Sequence, residues 1–154
     1  MSDFRPHTVY IAADHAGFDA KQIIVKALEG EFTITDLGAP TLDPADDFTP
    51  YAERTARKVV SDPGSLGILV CGSGEGMAIA ANKIDGVRAS VVWTTEVARE
   101  TRDDNDANVL ALPARFDSTE ELIKIAHTFL TTPFSGAERH QRRVDQIKDL
   151  EQTS

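Results

Sequence analysis

Short apolar runs alternate along the chain with longer segments in which hydrophobic residues recur at helical spacing. Five runs rich in β-branched residues, bounded by Gly, Asp and Pro, predict strands at residues 8–13, 33–36, 66–70, 88–92 and 109–112. Strands that alternate with helices predict βαβ units, a parallel sheet and right-handed crossovers. We therefore expect an α/β fold that forms one domain over residues 1–154.

The intervening segments have the pattern of amphipathic helices. Two stripes of apolar residues recur at helical spacing, one at Ala20, Ile23, Ile24, Ala27 and Leu28 and one at Leu122, Ile125, Ala126 and Phe129. Ser118 and Glu121 form a capping-box pattern before the second stripe. Further helices are predicted at residues 51–60, 76–84, 96–103 and 137–150, whereas residues 36–50, rich in Pro, Gly and Asp, predict a loop.

Ligands of open parallel sheets bind beyond the carboxyl ends of the strands. We expect three polar segments to lie at those ends, namely residues 14–17, 71–76 and 102–108. The sequence therefore predicts that these segments build the functional site.

Composition narrows the range of functions. The formal net charge of −9 disfavours nucleic acid and anionic lipid as partners. Cys71 is the single cysteine, so neither an intramolecular disulfide nor a cysteine-based metal cluster can form. The first residues lack an apolar run and no stretch is long enough for a membrane span, so we expect a reducing, cytoplasmic location.

The strongest local signal is the run Cys71-Gly72-Ser73-Gly74-Glu75-Gly76, between an apolar strand and a helical segment. Glycines permit tight turns, and exposed backbone N–H groups at a helix start suit an oxyanion or a phosphate. The same positive end would favour a thiolate at Cys71. The alternative is a buried structural cysteine followed by an ordinary turn.

Other glycine and metal motifs do not fit. A dinucleotide fingerprint would need glycine where Met77 stands, although Glu96 lies at a suitable distance for a ribose-binding acid. The Gly-Lys-Ser/Thr of a phosphate-binding P-loop is absent, and His7 and His127 have no metal-ligand spacing. We predict neither a cofactor nor a metal.

Two further motifs each leave two interpretations open. Asp14 and His15 follow the first strand, where they could contact a sugar and relay a proton, or where Asp14 could simply cap a helix. Arg139 and Arg143 lie four residues apart on one predicted helix face and could clamp a phosphate, or they could form a solvated charged face. Arg115, after the last strand, is a candidate for the same anion.

The chain resembles the type B ribose-5-phosphate isomerases and the related galactose-6-phosphate isomerase subunits. The resemblance covers residues 9 to about 151 and is carried by Ala13-Asp14-His15-Ala16-Gly17-Phe18, Cys71-Gly72-Ser73-Gly74, Ile79-Ala80-Ala81-Asn82-Lys83, Asn105-Asp106-Ala107-Asn108 and Arg139-His140-Gln141-Arg142-Arg143. It implies a Rossmann-like three-layer α/β/α sandwich with a five-stranded parallel sheet. It also implies homodimers or tetramers with active sites shared between subunits, and no cofactor or metal.

The resemblance also implies roles for individual residues. One subgroup uses a cysteine at the position of Cys71 to move a proton between C1 and C2 of an aldose phosphate through a cis-enediolate. A second subgroup uses a glutamate at the position of Met77, so this chain resembles the cysteine subgroup. The remaining roles by resemblance are enediolate binding by Ser73 and the backbone of Gly72, Gly74 and Gly76, substrate binding by Asp14, His15 and Asn105, and phosphate binding by Arg115, Arg139 and Arg143.

Two positions depart from the family pattern. Asp104 stands where the ribose-phosphate enzymes have a histidine that opens the furanose ring, and Phe48 stands where an aromatic hydroxyl is common. A carboxylate is a weak general acid at neutral pH unless its pKa is raised. Asp104 could therefore act in ring opening, or the substrate could be a tetrose phosphate such as erythrose 4-phosphate, which needs no ring opening.

We thus predict an aldose–ketose isomerase of ribose 5-phosphate and ribulose 5-phosphate, or of a close sugar phosphate. A tetrose-phosphate isomerase is one alternative. A sugar-phosphate-binding protein without catalytic activity is an alternative of another class.

Overall fold

The computed structural model describes residues 3–151 and contains one parallel sheet. Its strands are β1 (Val9–Ala13), β2 (Ile34–Asp36), β3 (Leu66–Cys71), β4 (Ala89–Val91) and β5 (Val109–Pro113). Their order across the sheet is β2-β1-β3-β5-β4, and every pair is parallel. The chain moves from β1 outward to β2 and then returns to place β3 on the other side of β1. Such a switch point leaves a crevice beyond the carboxyl ends of the two central strands.

Six helices are found within the described residues. They are α1 (Phe18–Leu28), α2 (Thr49–Ser61), α3 (Glu75–Ala81), α4 (Thr95–Asn105), α5 (Thr119–Thr131) and α6 (Glu138–Leu150). The Ser118 hydroxyl accepts a hydrogen bond from the Glu121 N–H and caps α5, as its sequence pattern predicts. Helix α2 begins two residues before the prediction because Pro50 fits the first turn of a helix, where no N–H is needed.

Two apolar layers separate the helices from the sheet. On one face, Ile24 of α1, Ala98 of α4 and Ile125 of α5 pack on strand residues. On the other face, α2 and α3 supply Ala56 and Met77 to a second cluster. Helix α6 packs on α4 instead of the sheet. The predicted three-layer α/β/α sandwich with five parallel strands is therefore confirmed.

One sequence prediction about position is wrong. Residues 102–108 were expected at the carboxyl ends of the strands, but they form the end of α4 and the approach to β5. The Asn108 carbonyl accepts from the Gly67 N–H near the start of β3, and the Asn108 N–H donates to the Arg88 carbonyl just before β4. This segment therefore lies at the amino edge of the sheet. The reason is that α4 runs antiparallel to the strands and ends where β5 begins.

No helix of residues 3–151 combines the length and apolarity needed to cross a membrane.

Candidate active site

The ends of β1, β3 and β5 bring most of the predicted site together. Ala13 is the register partner of Val70, and Cys71 is the partner of Pro113. The Asp14 N–H donates to the Val70 carbonyl, and the Arg115 N–H donates to the carbonyl of Gly72. The residues after the three strands therefore share the carboxyl edge of the sheet. We call them the cysteine group: Asp14, His15, Cys71, Gly72, Ser73, Gly74, Gly76 and Arg115.

Cys71 is the last residue of β3 and only 5% of its surface is exposed. The Gly74 N–H donates to its Sγ at 3.1 Å. Burial raises the pKa of the Cys71 thiol, while backbone N–H groups of Met77, Gly74 and Ser73 oppose this effect. The expected amide support for a thiolate is present, but within one chain burial outweighs it.

The loop after Cys71 depends on its glycines. Gly74 has φ of +81°, a conformation in which other residues are strained. The Arg115 guanidinium lies over Gly72, where an added Cβ would be 2.9 Å from Nη1. The ring of Phe48 lies over Gly76 in the same way, so that a Cβ added to Gly76 would be 2.6 Å from the ring. An arginine and an aromatic ring thus line the loop, and the ring has no hydroxyl to offer a ligand.

Asp14 is buried and holds the turn that follows β1. Its Oδ1 accepts hydrogen bonds from the N–H groups of Ala16 and Gly17 at 3.0 and 3.1 Å. The N-cap of α1 is Gly17, without a side-chain cap, so the interpretation of Asp14 as a helix cap is wrong. Asp14 lies near enough to Cys71 to raise the pKa of the thiol by charge repulsion.

His15 has one partner that its sequence pattern does not reveal, Asp46, and makes two hydrogen bonds to it. Its Nδ1 lies 2.8 Å from Oδ1 of Asp46, and its backbone N–H donates to the same oxygen at 2.9 Å. The hydrogen bond to Asp46 raises the pKa of His15. Burial alone would raise the pKa of Asp46, but hydrogen bonds from His15 and from the Tyr51 hydroxyl hold it below its usual value. This network favours a cationic imidazole at the carboxyl edge of the sheet.

Nothing in the sequence marks Asp46 as functional, because it is one of several acids in the loop between β2 and α2. Tyr51 sits in the first turn of α2 and supplies an aromatic hydroxyl three residues beyond Phe48. That hydroxyl bonds Asp46, which makes it a support for His15.

The remaining predicted site residues, Asp104, Asn105, Arg139 and Arg143, lie around the end of α4. Two arginines hold this helix end in place. Arg88 donates to the carbonyl of Asn105 at 3.0 Å and to that of Asp106 at 2.8 Å. Arg102 is 3% exposed and donates to Oδ1 of Asp106 at 2.9 Å. Asp106 has φ of +47°, which ends α4. The backbone of Asp104 and Asn105 is therefore rigidly placed.

The start of α6 packs against this helix end. The Ser135 N–H donates to the Asp103 carbonyl at 3.1 Å, and Nε2 of His140 lies 3.5 Å from Oδ1 of Asp104. Arg139 and Arg143 are exposed on α6, and neither forms a salt bridge within residues 3–151. We call Asp104, Asn105, Arg139 and Arg143 the arginine group.

One cluster of side chains in this region consists of residue types that bind metal ions. Ligand atoms of Asp103, Asp104 and His140 lie within 4.8 Å of one another. However, Nε2 of His140 accepts a hydrogen bond from Nε of Arg139 at 3.3 Å, and a neighbouring guanidinium opposes a cation. We assign no metal to it, and the expectation of a metal-free site stays a prediction.

The two groups occupy opposite edges of one sheet. The six residues of β3 separate these edges by about 16 Å at the usual rise per residue. A groove of about 520 Å³ lined by Asn105 contains no member of the cysteine group. One sugar phosphate bound at Cys71 therefore cannot reach the arginine group of the same chain.

Comparisons with known proteins show the family to which the chain is related. A family model described as Ribose/Galactose Isomerase matches residues 9–147. The chain is 44% identical over 142 residues to a probable ribose-5-phosphate isomerase B of Mycoplasma pneumoniae, which covers 92% of this chain and 93% of that protein. It is 42% identical over 147 residues to the ribose-5-phosphate isomerase B of Mycobacterium tuberculosis, which covers 94% of this chain and 90% of the relative.

A solved structure is similar over nearly the whole length. The ribose-5-phosphate isomerase B of Mycoplasma genitalium with bound ribulose-5-phosphate superposes with a TM-score of 0.91 at 41% identity. The match covers 96% of this chain and 97% of that one.

Proposed function

The chain belongs to the ribose/galactose isomerase family, and from this premise we propose that it interconverts ribose 5-phosphate and ribulose 5-phosphate. The observation that carries the proposal is Cys71, which ends a central strand beside the switch point with its sulfur held by a backbone amide. Relatives named as ribose-5-phosphate isomerases favour an enzyme over a binding protein without activity.

Cys71 acts as the base. Its thiolate removes the proton from C2 of the open-chain aldose, and the resulting cis-enediolate carries negative charge on its oxygens. The proton then returns to C1, while the hydroxyl proton of O2 passes to O1. Backbone N–H groups of the loop that follows Cys71, together with the Ser73 hydroxyl in that loop, stabilise that charge, and the Gly74 N–H already lies 3.1 Å from Sγ. The substrate and product have the same overall oxidation state, so the reaction needs no redox cofactor.

The phosphate requires cationic groups around it. Arg115 and His15 offer positive charge beside Cys71. Arg139 and Arg143 lie at the other edge of the sheet and serve the site of a second copy of the chain. Two copies related by a two-fold axis would place each arginine group against the partner's cysteine group, forming two equivalent sites in a homodimer or in each half of a tetramer.

Exposed apolar side chains support such an assembly. Ile79 on α3 is 63% exposed and Phe116, after β5, is 61% exposed. Trp93 stacks at a tilt against Phe116, with 5.2 Å between ring centroids, and is also exposed. Phe116 directly follows Arg115, and Ile79 lies on the helix that follows the Cys71 loop, so a second copy docked at this edge would cover them. A base that must remain a free thiol also favours a reducing compartment such as the cytoplasm.

Replacement of Cys71 tests the proposal. Cys71→Ser keeps the size of the side chain but removes the acidic thiol, so we expect isomerisation to fall by roughly 10²- to 10⁴-fold. The rate of ribulose 5-phosphate formation and deuterium incorporation from heavy water measure the effect. A matched control is His127→Gln, because His127 pairs with Glu31 on the surface and not with the site. Unchanged turnover in folded Cys71→Ser protein would refute the role of the thiol.

Asp104 favours a second candidate substrate, a tetrose phosphate that exists without a furanose ring. Erythrose 4-phosphate assayed beside ribose 5-phosphate distinguishes the two candidates. A preference of at least tenfold in kcat/KM for the tetrose would replace our first choice.

A further inference from the structure

We propose that a cationic cleft over α5 binds a small phosphate monoester, at a site separate from the one that contains Cys71. Two adjoining depressions of about 430 and 440 Å³ form the cleft, and both are lined by Arg99, His127 and Thr128. We call the two depressions together the α5 cleft. Within residues 3–151, neither is lined by a member of the cysteine group or of the arginine group. The inference therefore goes beyond the isomerase function and does not rest on it.

The charge of the α5 cleft is opposite to that of the chain. The formal net charge of the protein is −9, yet the ionisable residues that line the first depression in the described chain, Arg5, Arg99 and His127, are all basic. The second depression adds Lys124 and a single acid, Glu31. An acidic chain repels anions in general, so a local concentration of bases marks a place where an anion can be held.

Two of these cations are not neutralised by an ion pair. Neither Arg99 nor Lys124 forms a salt bridge with any residue that the structure describes. Glu96 and Asp103 lie three and four residues from Arg99 on α4, and Glu120 lies four residues before Lys124 on α5, at spacings that allow pairing on a helix. The guanidinium fork of Arg99 can therefore bind phosphate oxygens without first breaking an ion pair.

The other two bases are held in position by one acid and one aromatic ring. Nη2 of Arg5 donates to Oε1 of Glu31 at 2.7 Å, and Nε2 of His127 lies 2.9 Å from Oε2 of the same carboxylate. The Arg5 guanidinium lies 5.7 Å from the centre of the Phe32 ring, and the His127 ring meets Phe32 edge-on with 5.9 Å between centroids. Because Arg5 and His127 are already ordered side by side, a ligand does not bear the entropic cost of ordering them.

The lining of the cleft favours a phosphate that carries an organic group over a free ion. The Thr128 hydroxyl, unlike those of Thr131 and Thr132, makes no hydrogen bond to another described residue, so it can donate to a phosphate oxygen. The second depression continues over apolar side chains, namely Ala27, Leu28 and Ile123. A monoester can place its phosphate at Arg99 and Thr128 and its organic group on this apolar surface.

An NMR titration measures binding at the cleft itself. The ring signals of His127, assigned by their loss in His127→Asn, report on the cleft, and phenyl phosphate and inorganic phosphate are the probes. We expect saturable shifts with both probes and an affinity for phenyl phosphate that is about threefold or more higher, because its ring covers the apolar part.

Reversing one charge tests the role of Arg99. We expect Arg99→Glu to weaken the binding of phenyl phosphate by about tenfold or more, since a repelling carboxylate replaces a donor to the phosphate. The matched control is Arg57→Glu, which reverses an exposed charge on α2, on the other face of the sheet. Equal affinities of the Arg99→Glu, Arg57→Glu and unsubstituted chains would overturn the proposed site.

A second background separates the α5 cleft from the proposed catalytic site. Arg139→Ala/Arg143→Ala removes the arginine group, and we expect the titration of His127 by phenyl phosphate to remain within about twofold of that in the unsubstituted protein. Loss of the titration in this background would show that the ligand binds at the arginine group, and would overturn the proposal. Inorganic phosphate that binds as tightly as phenyl phosphate would overturn the choice of a monoester.

Discussion

Two opposing effects act on the pKa of the Cys71 thiol. Burial raises the pKa of the thiol, and the amides of the loop lower it less strongly. Because its pKa is raised, the thiol stays neutral until the pH exceeds the pKa of an ordinary cysteine. The thiolate therefore forms only toward alkaline pH. Cations that a second chain brings to this pocket would lower the pKa of the thiol and shift that balance toward the thiolate.

Alkylation of the single thiol measures this balance. We expect the rate of Cys71 modification by iodoacetamide to increase with pH and to have its midpoint above about 8.5, the value of a free cysteine. Mass spectrometry of the modified chain gives the rate at each pH, and Cys71→Ser is the control without a thiol. A midpoint below that of free cysteine would mean that the loop amides, together with the arginines of a second chain, outweigh burial.

The environment of His15 favours the charged form of the side chain, unlike that of Cys71, because the hydrogen bond to Asp46 raises the pKa of the imidazole. The raised pKa means that the imidazolium contributes to stability fully below the ordinary histidine value, and that this contribution is lost as the pH rises through the raised value. We expect Asp46→Asn to lower the pKa of His15 and to weaken phosphate binding near neutral pH. NMR titration follows the ring, and the spectrum of His15→Asn assigns its signal. An unshifted titration in Asp46→Asn would contradict the assignment.

At the level of elements, the hydrophobic pattern was sufficient to predict every strand and helix of the described chain, with boundary errors of a few residues. It could not place residues 102–108 correctly, because local periodicity does not show that α4 ends at the amino edge of the sheet. Cys71 and its loop were singled out by the glycines that follow a strand, which are a local signal, and their functional role stays a prediction. Asp46 and His140 were missed as partners, since their contacts join positions distant in sequence or depend on helix packing.

The approach of α1 to β3 sets a steric limit at Gly17. An added Cβ would lie 2.2 Å from the Val70 carbonyl oxygen, a contact between two backbones that cannot relax easily. We expect Gly17→Ala to lower the free energy of unfolding by on the order of 3 kcal/mol, as measured by urea denaturation. Gly30→Ala is the matched control, because no atom lies within 4 Å of its added Cβ. Equal stabilities for the two variants would show that the loop before α1 adjusts without cost.

For the whole molecule, the separation of the cysteine and arginine groups predicts complementation between inactive chains. A Cys71→Ala chain keeps its arginine group, and an Arg139→Ala/Arg143→Ala chain keeps its cysteine group. Each alone should be inactive, but mixed and allowed to exchange subunits they should regain about a quarter of full activity, since half of the dimers would be mixed and each would contain one complete site. Native mass spectrometry confirms that mixed dimers form, and their inactivity would show that each chain builds its own site.

In the proposed assembly, the cysteine group of one chain and the arginine group of another form each site, which would link output to abundance. A solitary chain, however well folded, would hold only half of the machinery. In a dilute regime where most chains are solitary, doubling their number would quadruple the metabolic flux, whereas at saturation the flux would merely double. The separation of the two groups across one sheet would thus give the proposed enzyme a threshold in expression level.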